Sequence, residues 1–100
     1  RQFKFDIGFM TGGVISDEGI FVATPEVAAF GRAASAVSRR RIGMATHHVI
    51  GQDGFAKAGA VEDLDVLITD EKADQEVVKR IQETGVKVVV AKTEESSSSC

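Results

Sequence analysis

The 100-residue sequence contains no tryptophan, no tyrosine, one proline and one cysteine. A lone cysteine, Cys100 at the last position, cannot close an internal disulfide. That excludes a disulfide-stapled fold and fits a reducing compartment, so a cytoplasmic location is expected. No apolar run approaches the roughly 20 residues needed to cross a bilayer. No basic start followed by an apolar core and a small-residue cleavage site marks a secretory signal. Positive charge is also scarce: 12 Lys and Arg against 15 Asp and Glu leave a net charge of −3. The sequence therefore lacks the concentrated basic surface that grips a nucleic-acid backbone. It also lacks a nucleophile–base signature such as G-x-S-x-G, and its cysteine sits in the tail, which favours a binding module over an enzyme.

What is present is a globular balance of 43% hydrophobic and 27% charged residues. The opening, Arg1-Gln2-Phe3-Lys4-Phe5-Asp6, has no Met and runs straight into apolar sequence, as expected if further chain precedes it. Residues 94–100 are a polar, Ser-rich stretch, expected to be a disordered tail behind a compact part at residues 1–93.

Phe3, Phe5, Ile7 and Phe9 alternate with Lys4, Asp6 and Gly8, which predicts a strand over residues 3–10. Residues 14–22 read as a turn-rich loop with at most one short extended piece. Thr24 as a cap, Pro25 in the first helical position and Glu26 at the positive dipole end predict a helix over residues 25–39. At about 100° per residue, Val27, Phe30, Ala34 and Val37 form its apolar stripe. A short strand is expected at 41–46, a loop at 47–59, and a strand covered on both faces at 66–69. Asp74 should cap a helix over 75–84, with Val77, Val78 and Ile81 inward and Glu76 and Arg80 paired outward. Gly85 should stop it, and residues 86–91 should form a last buried strand. Strands and helices alternate, so the fold class expected is α/β, with a mainly parallel sheet flanked by helices.

Ligands of open parallel sheets bind beyond the carboxyl ends of the strands. Here those ends feed the segments 11–22, 47–59 and 70–74; the first two are long and rich in Gly and polar residues, which makes them the expected borders of a pocket. Thr11, Gly12 and Gly13 leave the first strand; bare glycine N–H groups there suit either a tight turn or an approaching anion. Glu26 lies at the start of the apolar stripe, where its carboxylate would point under the strand ends and accept sugar hydroxyls. The alternative is a helix-dipole partner with its head in water. His47 and His48, next to Thr46, open the second segment. Either one imidazole lines a polar pocket or both face solvent; neighbouring side chains on a strand end diverge, so no metal site is expected. Asp70 leaves the third strand as a pocket carboxylate or a turn residue. Arg39, Arg40 and Arg41 read as a solvated corner between helix and strand, with an anion or partner contact as the alternative. No cofactor is expected.

The order of these features resembles a known family. Asp6 and Phe9, then Gly12-Gly13-Val14, then Asp17-Glu18-Gly19-Ile20, then Glu26 opening a helix are similar to the middle of the sensor domain of DeoR-family transcriptional regulators. Leu64-Asp65-Val66-Leu67-Ile68-Thr69-Asp70 and Gly85-Val86-Lys87-Val88-Val89-Val90 resemble that domain's last segments. The resemblance spans about residues 6–91. It implies the later part of a ribose-5-phosphate isomerase-like, Rossmann-like sensor domain that binds a phosphorylated sugar or related metabolite. It also implies operator DNA bound only through an N-terminal winged helix-turn-helix outside this sequence, a homo-oligomer, and no membrane partner. The effector site implied comprises Thr11, Gly12, Gly13, Glu26, Thr46, His47, His48 and Asp70. One stretch departs from the family's usual D-[SH]-[ST]-K-[FI]-G, reading Thr46-His47-His48-Val49-Ile50-Gly51 here. The family's Asp is Thr46 and its Lys is Val49, which removes a natural phosphate partner. Two alternatives stand beside this reading: a sugar-phosphate isomerase or deaminase-like enzyme, and an oligomerisation module with a vestigial pocket.

Overall fold

A computed structural model describes residues 5–10, 13–52, 54 and 56–92. In chain order the elements are β1 (Phe5–Met10), β2 (Val14–Ser16), β3 (Gly19–Val22), α1 (Pro25–Ala36), β4 (Ser38–Met44), β5 (Ala56–Gly59), β6 (Val66–Asp70), α2 (Gln75–Glu83) and β7 (Lys87–Ala91). Single 3-10 turns stand at His47–Val49 and Val61–Asp63. Strands β1, β4, β6 and β7 lie side by side in that order, all parallel. Strands β2, β3 and β5 make a second, antiparallel sheet.

The fold is therefore α/β with a parallel main sheet, but it is not purely parallel, because a second, antiparallel sheet of three strands stands beside it. The difference lies in the two segments read as loops. Val14, Ile15 and Ser16 pair with Phe21, Ile20 and Gly19 across a tight turn, and β5 adds to the other edge of β3. The Ser16 hydroxyl accepts the Glu18 N–H at 3.1 Å, so the turn stabilises its own hairpin. The apolar pairs flanking Asp17, Glu18 and Gly19 carried that hairpin signal.

Helix α1 begins as its sequence predicts: the Thr24 hydroxyl accepts the Val27 N–H at 3.2 Å and Pro25 fills the first position. It ends at Ala36 rather than near Arg39. The Ser38 hydroxyl donates to the Ala34 carbonyl at 2.8 Å, and Ser38 is already in register with Phe5 of β1. Sheet pairing thus overrides helix propensity from Ser38 to Arg39, and Arg39, Arg40 and Arg41 lie within β4 and not at a corner.

The expected apolar stripe of α1 does not face the core. Phe30 is 77% exposed and Val27 is exposed, whereas Ala28 is buried. The helix packs on β5 through small residues: a β-carbon at Gly31 would sit only 3.6 Å from that of Ala58. Ala28 and Gly31 thus lie on the packed face, and the larger side chains face outward.

Helix α2 follows its pattern. Asp74 accepts the Glu76 N–H at 2.9 Å, Val77, Val78 and Ile81 are buried, and Gly85 takes the left-handed φ of +104° that ends the helix. Arg80 reaches Glu76 at 3.9 Å but lies closer to Asp17, at 3.2 Å, which ties α2 to the β2–β3 turn. Both pairs are on the surface, where each contributes less than about 1 kcal/mol.

The core lies between the parallel sheet, α2 and the antiparallel sheet. Leu67 of β6 and Ile81 of α2 are fully buried, joined by Ile15, Ile20, Ile50 and Leu64. Ile50 bridges to Ile15, and the Gly51 N–H donates to the Ile15 carbonyl at 2.7 Å, so the chain after the first 3-10 turn is pinned to β2. Strand β7 departs from the expected buried strand. It is the sheet edge, with Val88 half-buried and Val89 and Val90 exposed. The row Met44, Ile68, Val89 shares one register and one sheet face, and Met44 and Val89 on it are exposed. Strand β6 is accordingly not covered on both faces: Leu67 and Thr69 are buried, Val66 and Ile68 only half so.

Candidate functional site

The carboxyl ends of β4 and β6 are neighbours. Met44 is in register with Ile68, and the Ala45 N–H donates to the Ile68 carbonyl at 3.0 Å. Beyond them, Thr46 is extended and the His47–Val49 turn begins, closed by the Val49 N–H on the Thr46 carbonyl at 3.1 Å. This brings His47 onto Asp70, the last residue of β6.

Asp70 is only 7% exposed. Its Oδ2 accepts the His47 backbone N–H at 2.8 Å, its Oδ1 accepts the Lys72 N–H at 2.9 Å, and both oxygens lie 3.1 Å from His47 Nδ1. Burial pushes this carboxyl up. The hydrogen bonds from the His47 N–H, the His47 ring and the Lys72 N–H, with the ring's charge when protonated, outweigh it. The net effect holds Asp70 below its ordinary value of 3.8. An ionised carboxylate can only accept, so it fixes the proton on Nδ1 and leaves Nε2 as the ring's remaining polar atom. Neutral, Nε2 accepts from a hydroxyl; protonated, it donates to an anion. The exposed His48 ring lies 3.9 Å from that of His47, tilted by 37°.

Two cavities flank this strand end, and both are lined by Met44, Ala45 and Thr46. The larger, about 510 Å³, is also bounded by Gly13, Phe21, Val22 and Val49. Among the described residues, its lining includes no charged side chain. The smaller, about 260 Å³, is bounded by Ile68, Thr69, Asp70 and Ala91. The Thr69 hydroxyl is buried without a hydrogen-bond partner among the described residues.

Of the residues singled out in the sequence, Gly13, Thr46, His47, His48 and Asp70 come together around the end of β4. Thr11 and Gly12 lie outside the described residues. Glu26 does not point under the strand ends. It is exposed, on the face of α1 it shares with Phe30, turned away from the packed face of Ala28 and Gly31. Its angle relative to Phe30 is as the sequence implies, but that stripe faces outward. Phe21 and Val22 were missed as lining residues because they belong to the hairpin read as a loop. Among the described residues, no three His, Cys, Asp or Glu side chains gather to hold a metal ion, and no helix is long and apolar enough to cross a membrane.

Gly13 is required by close approach. A β-carbon there would lie 2.6 Å from the Phe21 carbonyl oxygen, a backbone atom that β2–β3 pairing holds in place. Gly13→Ala should therefore destabilise the protein by about 1–3 kcal/mol, measurable by urea unfolding, and deform the wall of the larger cavity.

No curated protein matches the sequence. Residues 1–71, which run through β6 and end just past Asp70, match the family model of the DeoR C terminal sensor domain. The chain thus belongs to the DeoR family of regulators, as a C-terminal sensor domain that ends its matched span at the strand ends where the cavities lie.

Proposed function

We propose that the chain is the effector-binding part of a cytoplasmic DeoR-type transcriptional regulator, and that its effector is a phosphorylated sugar or related metabolite seated at the carboxyl ends of β4 and β6. The observation that carries this reading is the pair of cavities sharing Met44, Ala45 and Thr46, with the Asp70–His47 pair tying the two strand ends together. The apolar larger cavity suits the carbon frame of a metabolite, and Thr46, which lines both cavities, and Asp70, which lines the smaller, offer the polar contacts. Regulation follows by population shift. An effector that binds one arrangement of the 44–49 segment better than another moves the equilibrium of the whole protein. That change is passed to a winged helix-turn-helix of the full-length, oligomeric protein, which holds the operator.

The reading is tested by thermal-shift screening of the full-length protein against phosphorylated sugars and the same sugars without phosphate. A phosphorylated effector should raise the unfolding midpoint by an amount that grows with the logarithm of its concentration. If no phosphorylated sugar moves the midpoint, the effector class is wrong. Turnover of one of them would favour an isomerase or deaminase-like enzyme instead.

A further inference from the structure

At the other end of β4, away from the carboxyl ends just described, lies a third cavity of about 330 Å³. It is walled by the last turns of α1, the first half of β4, β5 and the second 3-10 turn. Its polar character is unlike that of the larger effector-side cavity: Arg32, Ser35, Ser38, Arg41 and Asp63 all border it.

The arginines differ in their engagement. Arg32 Nη1 donates to the Lys57 carbonyl at 3.2 Å, which holds its guanidinium against β5. Arg41 is held by its backbone, donating its N–H to Asp65 Oδ2 at 2.8 Å, and its side-chain Nε is buried with no hydrogen-bond partner among the described residues. A buried guanidinium N–H left unpaired is uncommon in folded proteins and calls for a water or an ion. Nε–H and the adjacent Nη–H form the side-on fork that receives two oxygens of one oxyanion.

Among the described residues that line the cavity, the balance of charge is positive: two guanidiniums against one carboxylate, that of Asp63. That carboxylate is partly neutralised, since its Oδ2 accepts the Ala60 N–H at 3.2 Å. The carboxyl end of α1 also borders the space and opposes an anion. Its Ala34 and Ser35 carbonyls, however, are already capped by the Val37 N–H, and Ala34 additionally by the Ser38 hydroxyl. The cavity is small and carries two cations on a chain of net charge −3, which suits a compact ligand and not a nucleic-acid backbone.

We infer that the cavity between α1, β4 and β5 is a second binding site, for a small oxyanion such as phosphate, with the Arg41 fork as its principal contact and Arg32 as its second cation. It is separate from the effector site and stands whether or not that site takes a phosphorylated sugar.

The test is a titration of the full-length protein with inorganic phosphate at constant ionic strength, balanced with chloride, following arginine Nε–Hε signals by NMR. The Arg41 signal is identified by its loss in Arg41→Lys. It should shift saturably with phosphate and not with chloride. Arg41→Lys keeps the charge but loses the fork, and should weaken binding by about tenfold or more. Asp63→Asn keeps an acceptor for Ala60 but removes the opposing charge, and should tighten binding by about threefold or more. A merely structural Arg41 would give neither response. An Arg41 signal that ignores phosphate, phosphate shifts confined to His47 and its neighbours, or an unchanged affinity in Asp63→Asn would each overturn the proposal.

Discussion

Leu67→Ala should lower the unfolding free energy by about 3 kcal/mol, within the roughly 2–5 kcal/mol range for deleting a fully buried leucine side chain. Leu67 has no exposed surface and is the second residue of β6, in register with Gly43 on one side and Val88 on the other. Part of its space is created by Gly43: a β-carbon there would lie 3.4 Å from Leu67 Cδ1 and 2.9 Å from Leu64 Cδ1. Both neighbouring strands are fixed by the ladder, so the walls cannot close on the hole left by alanine, and the cavity cost adds to the lost transfer energy. Against a total stability of roughly 5–15 kcal/mol, a loss of this size moves the urea midpoint far while leaving the slope unchanged. Phe30→Ala provides the contrast. A larger side chain is removed, but at 77% exposure it should change stability by no more than about 0.5 kcal/mol.

Asp70→Asn should lower the thermal midpoint at neutral pH by roughly 5–10 °C. Each carboxylate oxygen accepts a backbone N–H, Oδ2 from His47 and Oδ1 from Lys72. An asparagine amide turned either way sets its NH₂ against one of those donors and leaves it unpaired. The His47 ring loses its anionic partner as well. The effect depends on pH with a definite sign. The carboxyl is held below its ordinary 3.8 in the folded protein, so its contribution is complete above that value. It is lost as pH falls below 3.8 through the lower folded value. The gap between the native protein and Asp70→Asn should therefore be widest near neutrality and close under acid. A midpoint that does not differ at neutral pH would mean that Asp70 does not hold the 44–49 segment.

The elements whose local chemistry and packing agree were legible in the sequence. Helix α2 carries a cap, a buried face and a glycine stop that all point the same way, and β6 is a short apolar run in the middle of a sheet. The hairpin signal lay in the apolar pairs but was weak, because Asp17, Glu18 and Gly19 dominate a segment whose strands are only three and four residues long. Helix α1 misled for a different reason. Its hydrophobic stripe is real, but the face that packs on β5 is that of Ala28 and Gly31, and the stripe faces outward. The same cause moved Glu26 away from the site. His47, His48 and Asp70 could be singled out as residues at strand ends, but their meeting depends on the register of β4 with β6, which no local pattern encodes. Arg41 was legible as charge and illegible as a cavity wall, since the helix was expected to extend to Arg39.

The central claim is that an effector occupies the carboxyl ends of β4 and β6. Hydrogen exchange of the full-length protein tests it most directly, with and without the phosphorylated sugar that gives the largest thermal shift. Slower amide exchange is predicted at residues 44–49 and 69–72, joined by 13–14 across the larger cavity. Protection confined to other segments, or no protection at saturating ligand, would contradict the account.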